Sequence, residues 1–168
     1  CMEPCGVAVD GCGNGIVADS SNDCIRKITP QGDFSTLAGT EWSDFGHHQD
    51  GEGTVARFYC PSGVAVDGDG NVIVADQLNH RIRKITPQGQ VSTLAGSGVF
   101  DHNCLEGTLA VRMWVGGGAV DGCGKVIVAD SSNDRSRKIT QQGEVSTLAA
   151  TWWTGAEPPP HAQRPLAR

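Results

Sequence analysis

The sequence predicts an all-β fold assembled from three copies of one four-stranded antiparallel unit, and three observations carry that expectation. The stretch Gly63–Gly96, GVAVDGDGNVIVADQLNHRIRKITPQGQVSTLAG, recurs at Gly6–Gly39 with 26 of 34 positions identical and at Gly117–Ala150 with 24. The copies align without a gap, and recurrence at a fixed period is the mark of a repeat architecture. Gly supplies 23 of the 168 residues while aromatic content is 5%, which suits short strands and tight turns better than helical bundles.

Each copy reads as a meander. The first strand of the middle copy is Gly63–Asp67, closed by Gly68-Asp69-Gly70-Asn71, where Gly and Asn accept the positive φ of a hairpin turn. The second, Val72–Asp76, is a continuous apolar run, the pattern of a strand covered on both faces. Gln77–His80 turns the chain. In the third strand, Arg81–Thr86, Ile82 and Ile85 fall on opposite parities, which predicts a bulge or an edge position. Pro87-Gln88-Gly89 makes the next turn, and Gln90–Ala95 is the fourth strand. One such sheet has two apolar faces and can cover neither alone. Stacking copies face to face buries both, and strand twist bends the stack towards a ring, the logic of a β-propeller. A parallel β-helix is the alternative, but its pairing conflicts with the hairpin turns. The periods of 57 and 54 residues exceed the unit because insertions 40–62 and 97–116 join the copies.

The run Pro61–Ile85, P-x-G-V-A-V-D-x-x-G-N-V-x-V-A-D-x-x-N-H-R-I-R-K-I, resembles the NHL repeat, with Asn79-His80-Arg81 at the triplet that gives the repeat its name. The resemblance covers residues 6–39, 61–96 and 117–150 and implies a propeller, commonly of six blades in that family. The first copy has Asn22-Asp23-Cys24 and the third Asn133-Asp134-Arg135. The third also has Gly118 for Val64, Ser136 for Ile82 and Gln141 for Pro87, so it is the most eroded. Three blades are fewer than the four to eight that close a ring. The expectation is therefore a propeller segment over residues 1–150, forming an open arc that belongs to a larger propeller or self-associates through its open blade faces. Residues 151–168, with Pro158-Pro159-Pro160, form a tail without apolar period, in which Trp152 and Trp153 are candidates to pack on the last blade.

In an up-down meander the turns between second and third strands share an end with the connections. That end is expected to collect Ser20–Asp23, Gln77–His80, Ser131–Asp134 and both insertions, and binding residues concentrate on variable loops held by a rigid scaffold. The candidate binding residues are Trp42, Asp44, His47, His48, Asp50, Asn79, His80, Phe100, Asp101, His102 and Trp114, a mixture of aromatics and charges that suits a protein-binding rim. Taken singly, residues such as Phe58 are expected to plug the gap between blades.

His47, His48, Asp50 and His102 are zinc-ligand types, but no His-x-His or Cys-x-x-Cys spacing accompanies them, so neither a metal nor another cofactor is expected. Asp67-Gly68-Asp69-Gly70-Asn71 opens like a calcium loop, yet Val72 and Leu78 stand where Gly and Glu are needed. Gly116-Gly117-Gly118 lacks the Lys-Ser/Thr of a phosphate loop. The strip Arg81-Arg83-Lys84, with Arg26-Lys27 and Arg135-Arg137-Lys138, admits RNA binding of the kind known in some NHL propellers. The preferred reading is structural, each Arg pairing with an Asp of a neighbouring blade. No Ser-His-Asp or Cys-His set recurs. The resemblance leaves a second possibility, a fragment of a lyase- or lactonase-like propeller with an axial metal.

Net charge is −6, which argues against general nucleic-acid or anionic-membrane binding, and no apolar run approaches the roughly eighteen residues of a membrane helix. A chain opening on Cys1 reads as a fragment or processed product. Seven cysteines that do not follow the repeat, and no Asn-x-Ser/Thr sequon, favour an intracellular setting. The functional expectation is a non-catalytic scaffold that binds a protein partner through the insertion-bearing end.

Overall fold

The structure, a computed structural model, describes residues 4–41, 48–98, 118–130 and 135–150. Three antiparallel sheets hold more than half of them. The first holds β1 (Pro4–Val9), β2 (Gly15–Asp19), β3 (Cys24–Ile28) and β4 (Phe34–Ala38) in sequence order. The second holds β6 (Pro61–Val66), β7 (Val72–Asp76), β8 (Arg81–Ile85) and β9 (Gln90–Ala95), and gains β5 (Gly51–Glu52) on its outer edge. The third holds β10 (Gly118–Val120), β11 (Val126–Asp130), β12 (Arg135–Ile139) and β13 (Val145–Ala150). The sheets are blades of an open propeller arc, in which the innermost strand β6 neighbours both β1 and β10.

One mating rule builds both seams. Val72, Val74, Ile85 and Val91 of the middle blade pack against Ile16, Ala18, Ile25 and Ala38 of the first. Val126, Val128, Ile139 and Val145 of the third blade pack in the same way against Ile73, Ala75, Ile82 and Ala95 of the middle one. In both seams a valine-rich face of the later blade meets an isoleucine–alanine face of the earlier one. The middle blade uses both, so every residue of β7 is buried. This also explains the two parities of Ile82 and Ile85, which serve opposite seams. The irregularity falls in the partner strand instead: Ile82 pairs with Ala95 and Arg83 with Thr93, leaving Leu94 as the extra residue of a bulge. The first blade repeats it at Leu37 and the third at Leu148.

The hairpin turns are closed by one aspartate each. Asp10 accepts from the backbone N–H groups of Cys12 and Asn14 at 2.9 and 2.8 Å. Asp67 accepts from Asp69 and Asn71 at 3.0 and 2.8 Å, and Asp121 from Cys123 and Lys125 at 2.9 Å. The Asn14 side-chain amide holds the Asp10 carboxyl below its ordinary pKa, and the Lys125 N–H does the same for Asp121. A carboxylate depressed in the folded state contributes stability that is present above about pH 4 and lost as pH falls through the folded-state value. Thermal unfolding is thus expected to move to lower temperature on acidification below about pH 4. The Asp10→Asn, Asp121→Asn double variant should show a shallower decline. An identical pH profile in that variant would count against the turn carboxylates as its source.

Candidate functional site

At one end of the arc the turns Ser20–Asp23 and Gln77–His80 lie beside the chain entering the middle blade. Each turn needs a left-handed residue, which Asp23 (φ 54°) and His80 (φ 51°) provide. Asp and His tolerate that conformation better than most side chains, a backbone reason for the repeat's variable Asp/His position. Asn79 is buried, and its side-chain amide donates to Asp76 Oδ2 at 2.9 Å. Asn22 likewise donates to Asp19. Two carboxylates latch the incoming segment: Cys60 N donates to Asp23 Oδ1 at 2.7 Å and Tyr59 N to Asp76 Oδ1 at 2.8 Å. The Ser20 hydroxyl donates to the Pro61 carbonyl across the same seam.

The basic strip pairs within blades rather than between them. Arg26 Nε meets Asp19 at 2.9 Å, Arg83 Nη1 meets Asp76 at 2.8 Å, and Arg137 Nε meets Asp130 at 3.1 Å. The expectation of an inter-blade contact is corrected. The reason is register: Asp76 pairs with Arg81 across β7 and β8 and Val74 with Arg83, so an arginine two residues along from the Asp partner reaches back to it inside its own sheet. Both members of the second and third pairs are fully buried. Burial pushes the Asp76 carboxyl above its ordinary pKa, against the pull of Arg83 and the Tyr59 N–H.

Arg83 also organises the insertion 40–62. Its Nη2 donates to the Gln49 carbonyl at 2.8 Å and to Asp50 Oδ1 at 2.7 Å, and Nη1 donates to the Arg57 carbonyl at 3.0 Å. Its guanidinium lies 5.1 Å from the centre of the Phe58 ring. Asp50 in turn accepts from Thr93 N and Thr93 Oγ1 at 3.1 Å. Burial raises the Asp50 pKa, but the Thr93 N–H and Arg83 outweigh it and hold the carboxyl below its ordinary value. Gln49 bridges Arg57, Gly51 and Glu52 pair with Val91 and Gln90, and the 3₁₀ turn Gly53–Val55 follows. Phe58 and Ala56 then enter the seam between the first two blades.

The described part of this insertion thus runs along the outer edge of the middle blade, not only at the end where the topology argument gathered it. Two residues of β5 and the Asp50 carboxylate together satisfy part of the outer hydrogen-bonding edge of β9. Of the candidate binding residues, His48, Asp50, Asn79 and His80 are described: His48 is exposed on the insertion, Asp50 is engaged by Arg83 and Thr93, and Asn79 and His80 belong to the blade turn. Trp42, Asp44, His47, Phe100, Asp101, His102 and Trp114 lie outside the described residues, as do Trp152 and Trp153. Val55, exposed on the 3₁₀ turn, and Leu78, exposed on the blade turn, add apolar surface. Sequence reading passed over both, because a lone exposed aliphatic carries no pattern.

A cleft of about 630 Å³ opens at the opposite end, between the hairpin turns of the first two blades, lined by Asp10, Cys12, Lys27, Asp67, Asp69 and Pro87 among others. The carboxylates of Asp10 and Asp67 are occupied closing their own turns. Among the described residues, no three His, Cys, Asp or Glu side chains converge as a metal site would require.

Residues 58–85 match the family model described as NHL repeat. The middle blade is an NHL repeat, and the first and third blades share most of its sequence. Over 163 residues the chain is 32% identical to Protein SUPPRESSOR OF QUENCHING 1, chloroplastic, of Arabidopsis thaliana, covering 90% of this chain and 15% of that protein. A Bacteroides thetaiotaomicron protein of unknown function superposes with a TM-score of 0.65 at 30% identity, over 75% of this chain and 32% of that one. Virginiamycin B lyase from Staphylococcus aureus superposes with a TM-score of 0.59 at 14% identity, over 87% of this chain and 41% of that one. The neighbours are β-propellers, and at such identity the lyase likeness concerns the fold alone. The chain spans less than half the length of each of these proteins.

Proposed function

We propose that this NHL-repeat arc is a non-catalytic scaffold that binds a protein partner along the rim formed by the insertion 40–62 and the adjoining blade turns. The observation that carries this reading is the way the insertion is fixed. Unrepeated sequence is tied to a repeated frame by Arg83, Asp50 and the β5–β9 pairing, so His48, Glu52, Thr54 and Val55 are presented at the surface on a braced segment. A braced loop loses little conformational entropy on binding, which favours affinity. The repeated charges, in contrast, are consumed inside the blades. The intracellular setting expected from the cysteine pattern belongs to the same reading.

The test is affinity capture with the whole chain and two variants. A partner retained by the wild type should be lost by His48→Ala, Val55→Asp and kept by Asp69→Ala, which alters the opposite end. Capture indifferent to the rim variant would overturn the proposal, and a stoichiometric divalent metal found by elemental analysis would favour the lyase- or lactonase-like reading instead.

A further inference from the structure

The seam between the first two blades is wedged by the insertion 40–62. The 3₁₀ turn of that insertion stands between the two blades: Gly39 N donates to the Gly53 carbonyl at 3.2 Å, and Gly53 N donates to the Gly89 carbonyl at 2.9 Å. Ala56 and Phe58 fill the seam beyond it. The turn that Gly53 holds includes Thr86 and Pro87, which form part of the wall of the 630 Å³ cleft between these blades. The second seam is shut at the equivalent point. There the Gly143 turn lies so close to the middle blade that a Cβ on it would sit 2.3 Å from the Leu94 carbonyl. A Cβ on Gly89, its counterpart in the first seam, would meet nothing within 4 Å. The opening thus belongs to one seam and is not a property of the repeat.

The cleft has an apolar floor and two walls of different charge. Ile16, Leu37, Val72 and Pro87 supply the apolar surface. On the first-blade side Lys27 stands near enough to Asp10 to act on its carboxyl, so the two charges offset each other. On the middle-blade side are Asp67 and Asp69, and no cation pairs with either among the described residues. Asp67 spends its oxygens on the hairpin turn but keeps its charge. Asp69 contributes only its backbone N–H to that turn, which leaves its carboxylate to solvent. Low-dielectric walls strengthen the field of one sign of charge inside a cleft, and the volume lies within the range of about 300–1,000 Å³ typical of small-molecule sites.

We infer that this cleft is a second binding site, for a small organic cation whose apolar body covers Leu37 and Val72 and whose amine or amidine meets Asp69 beside Asp67. An anion would have to compete with Asp10 for Lys27 and approach two further carboxylates. The inference is independent of the rim proposed above: His48 and Val55 do not line the cleft, so either reading can fail alone.

Protein-observed NMR titration of the 168-residue chain with benzamidine, benzamide and benzoate tests this, because the three share a ring and differ in charge. Benzamidine should shift the amides of Gly68 and Gly70 saturably and leave His48 and Val55 unmoved. Benzamide should bind about fivefold more weakly, the loss expected for one exposed charge pair, and benzoate more weakly still. Asp69→Asn keeps the backbone bond that closes the turn, so the remaining spectrum should be preserved while benzamidine falls to the affinity of benzamide. Non-saturating or scattered shifts with benzamidine would overturn the inference. So would equal binding of benzamide or benzoate, or an Asp69→Asn chain that binds benzamidine as the wild type does.

Discussion

Replacing Arg83 with methionine is expected to lower stability by about 3–5 kcal/mol, the loss typical when one partner of a buried ion pair is removed, and the melting temperature by roughly 10 °C. The substitution keeps an apolar stem of similar length but strands the fully buried Asp76 carboxylate, which Arg83 meets at 2.8 Å. It also releases the Gln49 and Arg57 carbonyls and Asp50, loosening the insertion at the same stroke. The deficit should depend on pH. Burial already raises the Asp76 pKa, so the folded state holds a proton over a range where the unfolded chain has released it, and stability falls as pH rises through that window. Without Arg83 the window widens upward, so the variant should lose most at neutral pH and recover towards acid. Asp76→Asn in the Arg83→Met background should restore part of the loss. If the single variant melts within about 2 °C of wild type, the pair is not what holds the blade.

Phe58→Ala is expected to cost about 3–5 kcal/mol, as for other buried phenylalanines that leave a cavity. Phe58 is fully buried and joins the first two blades from the connection between them, so its loss should open one seam rather than one sheet. Hydrogen exchange should quicken in β4 and β9 while the turns at the third blade keep their rates. Because Phe58 sits 5.1 Å from the Arg83 guanidinium, the two substitutions should be non-additive. Leu148→Ala, half exposed in the single arc, is the matched control and should change the melting temperature little. Equal effects at Phe58 and Leu148 would contradict the seam assignment.

The blades were legible because turn chemistry and burial are local. Asp67-Gly68-Asp69-Gly70-Asn71 specifies a hairpin by its own geometry, and Val72–Asp76, read as a strand covered on both faces, has those bounds and that burial. Pairing choices were not legible. Nothing in the order of residues says whether Arg83 turns towards its own sheet or the next, since that depends on which residues stand opposite one another across β7 and β8. The fifth strand was hidden for a related reason: Gly51–Glu52 is too short and polar to show a period, and it is a strand only because β9 offers it an edge. Of the proposed rim, Asp50 stands out in the sequence by its charge and its place in an insertion, while its engagement by Arg83 and Thr93 arises only in the folded chain.

Closure of the Asp–Arg pair inside each sheet bears on how such chains change over generations. Asp19 with Arg26, Asp76 with Arg83 and Asp130 with Arg137 each lie seven residues apart within one repeat. A duplication or deletion of a whole repeat therefore carries both charges of this pair together and strands neither of them in a neighbouring blade. Blade number can drift by whole units at the cost of apolar surface alone, which the next blade along, of whatever origin, is already shaped to cover.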